Sequence, residues 1–462
     1  MKPLHRVLVI AAAVVVAVVI VGVVIVLRPA PPPPVDSARL RAAVTTEAVT
    51  AHLQALQQVA EANQGNRAAG TPGYSASVDY VAARLEEAGY RTQRQQFSYE
   101  RPDFTRATLG RTLPTRTDYT VARDYRPLAY SGAGSVTAEV TGVDLSLDGE
   151  RTTTSGCEAA DFSGFSRGNI ALVQRGTCPF AAKVDNAVAA GAGGVVILNQ
   201  GDDQNRRGLF AGTLGRQAGV PVVATTFELG VEWASVPRTV LALAVESTVT
   251  TVTTENLIAD TASGAADHTV VIGAHLDGVA EGPGINDNGS GVAAVLETAV
   301  QFADLGVQPR NRVRFAFWGA EEDGLHGSEH YVAGLDDAAR REISVYLNLD
   351  MIGSPHPVAS VYGGGAPASG WPAGSGEIQA VLTDFLTSVG VTPQTVTFRA
   401  SDHASFLSAG IPAGGLFTGA DDGADPCYHQ ACDRLETIDR DMLGLMADAA
   451  AHAALTYAQA PR

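Results

Sequence analysis

Short apolar runs rich in β-branched residues recur through the second half of this chain, with longer amphipathic stretches between them. Thr269-Val-Val-Ile-Gly-Ala274, Arg312-Val-Arg-Phe-Ala-Phe-Trp318 and Ile343-Ser-Val-Tyr-Leu-Asn-Leu349 have the length and composition of buried strands. Between the first two, residues 291–302 repeat their apolar positions with a helical period. Strands alternating with helices predict an α/β domain, a mostly parallel mixed sheet with helices on both faces. Nearer the N-terminus, Ala51-His-Leu-Gln-Ala-Leu-Gln-Gln-Val-Ala-Glu61 and Val78-Asp-Tyr-Val-Ala-Ala-Arg-Leu-Glu-Glu87 read as helices, the second following a turn at Gly70-Thr-Pro-Gly73. From about 112 to 248 the pattern turns strand-rich, with Ile170-Ala-Leu-Val-Gln174 and Gly193-Gly-Val-Val-Ile-Leu-Asn199 as examples.

The first 36 residues have another character. Val7 to Leu27 is a run of 21 apolar residues, preceded by Lys2, His5 and Arg6 and followed by Arg28. As a helix it spans about 31 Å, roughly one hydrocarbon core. A cleaved signal has a shorter apolar region and a small-residue cleavage site. Here a stiff spacer follows instead, Pro29-Ala-Pro-Pro-Pro-Pro34. The expectation is a membrane-spanning signal anchor with the rest of the chain outside the cytoplasm, and secretion after cleavage as the alternative. The formal net charge of −17 opposes nucleic-acid binding. Four cysteines, Cys157, Cys178, Cys427 and Cys432, allow three pairings, and an exported chain favours disulfides.

The chemistry gathers where the strands end, where ligands of such sheets bind. His275 and Asp277 follow the first run, Glu321-Glu322 the second, and Asp350 the third. Asp287, in Ile285-Asn-Asp-Asn-Gly-Ser-Gly291, and His429 complete the group. Among 49 acidic residues a carboxylate after a strand is ordinarily a helix cap or a solvated loop residue. Three strand ends converging with a histidine at the first are harder to obtain without a role. The adjacent Glu321-Glu322 pair is itself costly, because neighbouring buried carboxylates repel unless a cation stands nearby. Imidazole and carboxylate without thiolate suit zinc, and manganese or cobalt less tightly.

The segments His275-Leu-Asp277, Asn286-Asp-Asn-Gly-Ser-Gly291, Trp318-Gly-Ala-Glu-Glu322, Asn348-Leu-Asp-Met-Ile352 and Cys427-Tyr-His-Gln-Ala-Cys432 resemble those of the secreted di-zinc aminopeptidases, relatives in fold of glutamate carboxypeptidase and the transferrin receptor. The resemblance covers nearly everything after residue 47. It divides the chain into an anchor and spacer (1–36), the opening part of a peptidase domain (37–111), an inserted protease-associated domain (112–248, with Cys178-Pro-Phe180 and Lys183) and the catalytic part (249–462).

The resemblance implies two zinc ions, one held by His275 and Asp350, the other by Glu322 and His429, with Asp287 shared. Asp277 would orient His275, Glu321 would be the general base, and Tyr428 would donate to the developing oxyanion. Met351, Ile352 and Phe417 would line an apolar pocket for the N-terminal side chain of a peptide with a free amine. No acidic or basic residue is expected in that pocket. The family often bridges Cys427 with Cys432, which leaves Cys157 with Cys178. Two features depart from the family: Phe398-Arg-Ala400, before Ser401-Asp-His403, and the short stretch from Gly419 to Pro426.

Two other readings follow from the same family. A carboxypeptidase or dipeptidase of the glutamate type needs cationic groups for a substrate carboxylate, and Arg399 stands alone for that task. A transferrin-receptor-like binding protein would have lost ligands, and none is missing. Asn288-Gly-Ser290 matches a glycosylation sequon, but a glycan beside Asp287 would block the site.

Overall fold

The computed structural model describes residues 36–148, 153–364, 370–419 and 425–461. The expected anchor and its proline spacer lie outside these residues. Among the described residues no helix is long and apolar enough to cross a membrane. The chain forms two compact units, one from the chain up to Phe97 together with the chain from Thr254, the other from Ser98–Thr253. It passes between them inside the strands Thr92–Leu113 and Val240–Asp260, so the expected boundaries at 112 and 248 both fall within strands.

In the first unit the strand Ala265–His275 is central. Asn311–Trp318 and Ile343–Asp350 flank it, both parallel to it, and Ala413–Phe417 continues the parallel set beyond Ile343–Asp350. The set is closed on one side by the antiparallel segment 257–260 and on the other by Ser360–Tyr362, antiparallel to Ala413–Phe417. Successive residues of the central strand enter different cores. Val270 and Ile272 pack with Leu53, Val78, Leu296 and Phe315 on one face, while Val271 packs with Trp318, Tyr346 and Phe406 on the other. A sheet covered on both faces explains why its strands are near-continuous apolar runs.

The helices follow from local signals. Thr71 caps Pro72–Glu87 by accepting from the Tyr74 amide, and Pro72 occupies the first turn, where its missing N–H costs nothing. Thr45 caps Thr46–Ala62 in the same way. Gly291–Asp304 is buried along nearly its whole length, as a helix that is apolar on most sides must be. It fixes the exit of the loop that carries Asp287.

The second unit is built on a further set of strands. Gly134–Gly142, Ile170–Gln174, Gly194–Leu198 and Val222–Thr225 run parallel, and the helix Phe180–Ala190 connects the second to the third. Tyr125–Pro127 and residues 240–245 add antiparallel edges. Cys157 and Cys178 are bridged. Lys183 is buried beside that bridge, its Nζ 2.5 Å from the Ser155 carbonyl, to which it donates, and 3.6 Å from Cys157 Sγ.

Candidate metal centre

Parallel register brings the expected residues to one rim. Trp318 stands beside His275, and Asn348 beside Gly273, so the carboxyl ends of the three strands are neighbours. His275 and Asp350 are the last residues of their strands, and Glu321-Glu322 follow Trp318 by three residues. Asp287 comes from the turn before Gly291–Asp304, and His429 from a loop closed by the Cys427–Cys432 disulfide.

The carboxylate of Asp287 faces two ways. Its Oδ1 lies 3.3 Å from His275 Nε2, which is also 3.5 Å from Asp350 Oδ1. Its Oδ2 lies 3.2 Å from His429 Nε2, which is 2.9 Å from Glu322 Oε2. Two trios result, His275–Asp287–Asp350 and Asp287–Glu322–His429, each with ligand atoms within 4.8 Å of one another. Glu322 Oε1 and Asp350 Oδ1 are buried without hydrogen-bond partners. Buried polar atoms are nearly always paired, and a dication between the members of a trio would supply the missing partner. Nitrogen and carboxylate oxygen donors suit zinc. Glu321 belongs to neither trio; its Oε2 is 4.0 Å from His275 Nε2.

The electrostatics agree. Burial, joined by the charge of Asp287, pushes the Glu322 carboxyl up to about 8. Burial raises Glu321 well above the usual range, with Asp402, Asp350 and Glu322 adding to it. Burial works against the His429 imidazolium, yet Asp287 and Glu322 push it up to about 10. Burial also opposes the Asp287 carboxylate, and the two histidines overcome it and hold it below its ordinary value.

Asp277 is buried and meets both His275 and the glutamate pair. Its oxygens accept from the amides of Glu321 (3.2 Å) and Glu322 (3.3 Å). His275 Nδ1 is closer to the Asp277 backbone carbonyl, at 3.1 Å, than to its carboxylate, at 3.7 Å. Asp277 thus links the end of the first strand to the Glu321-Glu322 turn. Ala320, Met351 and His429 have φ of 59°, 49° and 55°, in the left-handed region that non-glycine residues rarely enter. Such strain costs about 1–3 kcal/mol per residue and collects at functional sites.

A cavity of ≈ 420 Å³ opens on the trios. Met351, Phe417 and Tyr428 line it as expected, and Tyr428 stacks on His429 with ring centroids 3.8 Å apart. Ile352 does not: it is fully buried in the hydrophobic core. Phe398, Ala400, Gly419 and Asp425 complete the wall. Asp425 corrects the expectation of a pocket without a charged residue. Its carboxylate accepts from Asn286 Nδ2 and the Cys427 amide, each at 2.9 Å. Arg399 turns to Trp371, 5.9 Å from the ring centroid, and to the Gly370 carbonyl. His403 is a core residue, stacked on Tyr362, and burial lowers it to about 4. Asn288 is fully buried and its amide donates to the Leu349 carbonyl, which leaves no room for a glycan.

Sheet, rim and the two trios of histidine and carboxylate suit a zinc-dependent hydrolase. The profile of Peptidase family M28 matches residues 256–454, and that of the PA domain residues 136–233. An aminopeptidase of Pseudomonas aeruginosa is 44% identical over 427 residues, covering 87% of this chain and 79% of that protein. An aminopeptidase from Aneurinibacillus superposes with a TM-score of 0.74 at 28% identity, covering 92% of this chain and 97% of the other. For a zinc aminopeptidase from Bacillus subtilis the TM-score is 0.61 at 26% identity, over 90% and 96% of the two chains. The chain belongs to Peptidase family M28, with a PA domain inserted, and it is an aminopeptidase of that family.

Proposed function

We propose that this aminopeptidase holds two zinc ions, one with His275 and Asp350, the other with Glu322 and His429, and Asp287 shared between them. The observation that carries the count is the Asp287 carboxylate, whose two oxygens approach histidines of different trios, at 3.3 and 3.2 Å. Bound zinc supplies Lewis-acid polarisation of the scissile carbonyl and a water acidified towards neutrality. Glu321, which neither trio needs, takes the proton of the attacking water and returns it to the leaving amine. Tyr428 donates its hydroxyl to the oxygen that gains charge. Asp350 and Glu321 receive the substrate's free α-ammonium, which limits cleavage to the N-terminal residue.

The side chain of that residue enters the cavity between Met351, Phe398 and Phe417. Apolar burial there contributes about 25 cal/mol per Å², so Leu, Met and Phe are the preferred residues. The N-terminal segment Val7–Leu27 anchors the enzyme at a membrane with both units outside the cytoplasm, in keeping with the two disulfides. Fractionation of expressing cells tests the anchor; the enzyme belongs with the membranes, and recovery in the cytosol would exclude it.

The test of the activity compares free and N-acetylated aminoacyl-anilides. Leu-anilide should be cleaved faster than Glu- or Gly-anilide, and N-acetyl-Leu-anilide should be nearly inert. Cleavage of the acetylated substrate at a rate comparable to the free one would overturn the amine-binding role of Asp350 and Glu321.

A further inference from the structure

The loop that carries Asp287 is gripped by two buried polar side chains from distant parts of the sequence. Arg67 is fully buried, and its guanidinium donates to backbone carbonyls: Nε to Pro283 at 2.8 Å, Nη2 to Gly284 at 2.5 Å, and Nη1 to Leu276. Asp433 is buried too and accepts from backbone amides, those of Asn286 at 2.7 Å and Asp287 at 3.0 Å. Burial of an unpaired charge is expensive. Here the compensation comes from peptide groups of one segment, 276–287, at both of its ends. Gly284 sits between the two grips with φ +63°, where a Cβ would lie 2.6 Å from the Asp287 carbonyl. Asp433 also directly follows Cys432, so it joins the ring that carries His429 to the loop that carries Asp287.

We propose that Arg67 and Asp433 are positioning residues that set the backbone of 276–287 so that the Asp287 carboxylate stands between the two trios before metal enters. The proposal rests on the two-zinc reading above. A shared ligand must satisfy two ions at once, and its aim is inherited from the peptide unit that bears it. A turn of that unit carries both oxygens off their targets together. Amide donors on a carboxylate are among the stronger hydrogen bonds, and here they act on the Asp287 amide itself. Support of this kind commonly changes metal affinity by about 10–100-fold.

The test uses the full chain. Asp433→Asn is nearly isosteric and sets an N–H against a backbone N–H. Zinc affinity is measured by competition with a chromogenic chelator, and Leu-anilide turnover is measured at saturating zinc. We expect at least about tenfold weaker binding of zinc, with turnover at saturation reduced far less than affinity, because no ligand has been removed. Arg67→Lys keeps the charge but offers one nitrogen where three now donate. It should weaken zinc in the same direction, and it carries the test if Asp433→Asn does not accumulate as folded protein. Wild-type zinc affinity in both variants, with only a lowered melting temperature, would mean simple packing support and overturn the proposal. So would lost turnover at full zinc occupancy with affinity intact. Fewer than two ions in the wild-type protein would overturn the two-zinc reading and this proposal with it; two ions there, with unchanged affinity in the variants, overturns this proposal alone.

Discussion

At the residue scale the sharpest contrast is between Glu321 and Glu322, adjacent in sequence and assigned different work. Glu322 belongs to a trio with His429 and Asp287, and Glu321 to neither. Glu321→Ala should therefore retain both zinc ions and lose about 10²–10⁴ in turnover. Glu322→Ala should lose one ion. Metal analysis beside single-turnover kinetics separates the two, and the reverse pattern would exchange the roles. The pair was legible in the sequence because two neighbouring carboxylates after an apolar strand are hard to explain without a cation. Other residues were not. Met351 and Ile352 look alike in sequence, yet the backbone at Met351, with φ 49°, sends one to the cavity and the other to the core. Nothing local marks Arg67 or Asp433 as supports of Asp287, since their partners are peptide groups about 210 and 146 residues away.

At the scale of elements, the strands were readable from composition, and with them the rim, because parallel strands aligned in register must end together. What periodicity does not carry is which amides lie under a neighbouring strand's carboxylate, so the bonds from Asp277 to the Glu321 and Glu322 amides could not be read beside its approach to His275. The Cys427–Cys432 loop leads to a prediction of its own. A bridge closing so short a loop constrains the unfolded chain little, but it holds His429 at its strained φ of 55°. Cys427→Ser with Cys432→Ser should lower activity and zinc retention much more than the melting temperature. A loss of both in proportion would show the bridge to be a general staple. The protons held near the trios give a second prediction. Glu322, raised to about 8, and His429, raised to about 10, titrate as a pair that holds at least one proton near pH 7, and zinc ligation would release it. Zinc affinity should rise with pH across 6 to 8. Calorimetry in buffers of different ionisation enthalpy should find net proton release on binding; proton uptake would contradict it.

At the scale of the whole molecule, composition announced an inserted unit, but not that the chain would pass into it and out again within continuous strands. That is a property of pairing, and long strands of mixed polarity hide it. The inserted unit carries the one lysine among the described residues, Lys183, which burial lowers to about 8 from 10.5. Between these values the unfolded chain binds the proton more tightly than the folded one, so this side chain makes stability rise with pH from about 8 to 10.5. Lys183→Met should remove that rise. Urea denaturation followed through the fluorescence of Trp233, buried in the same unit, measures it; equal pH slopes in the two proteins would exclude the effect.

The ring that carries His429 also bears on when the molecule can act. It exists only where thiols are oxidised, and a newly made chain in a reducing cytosol has its sheet and its cluster of carboxylates but an open tether for one histidine. With the ring open, His429 sits on an unclosed loop, so reduced protein should be less active than protein whose bridge is closed.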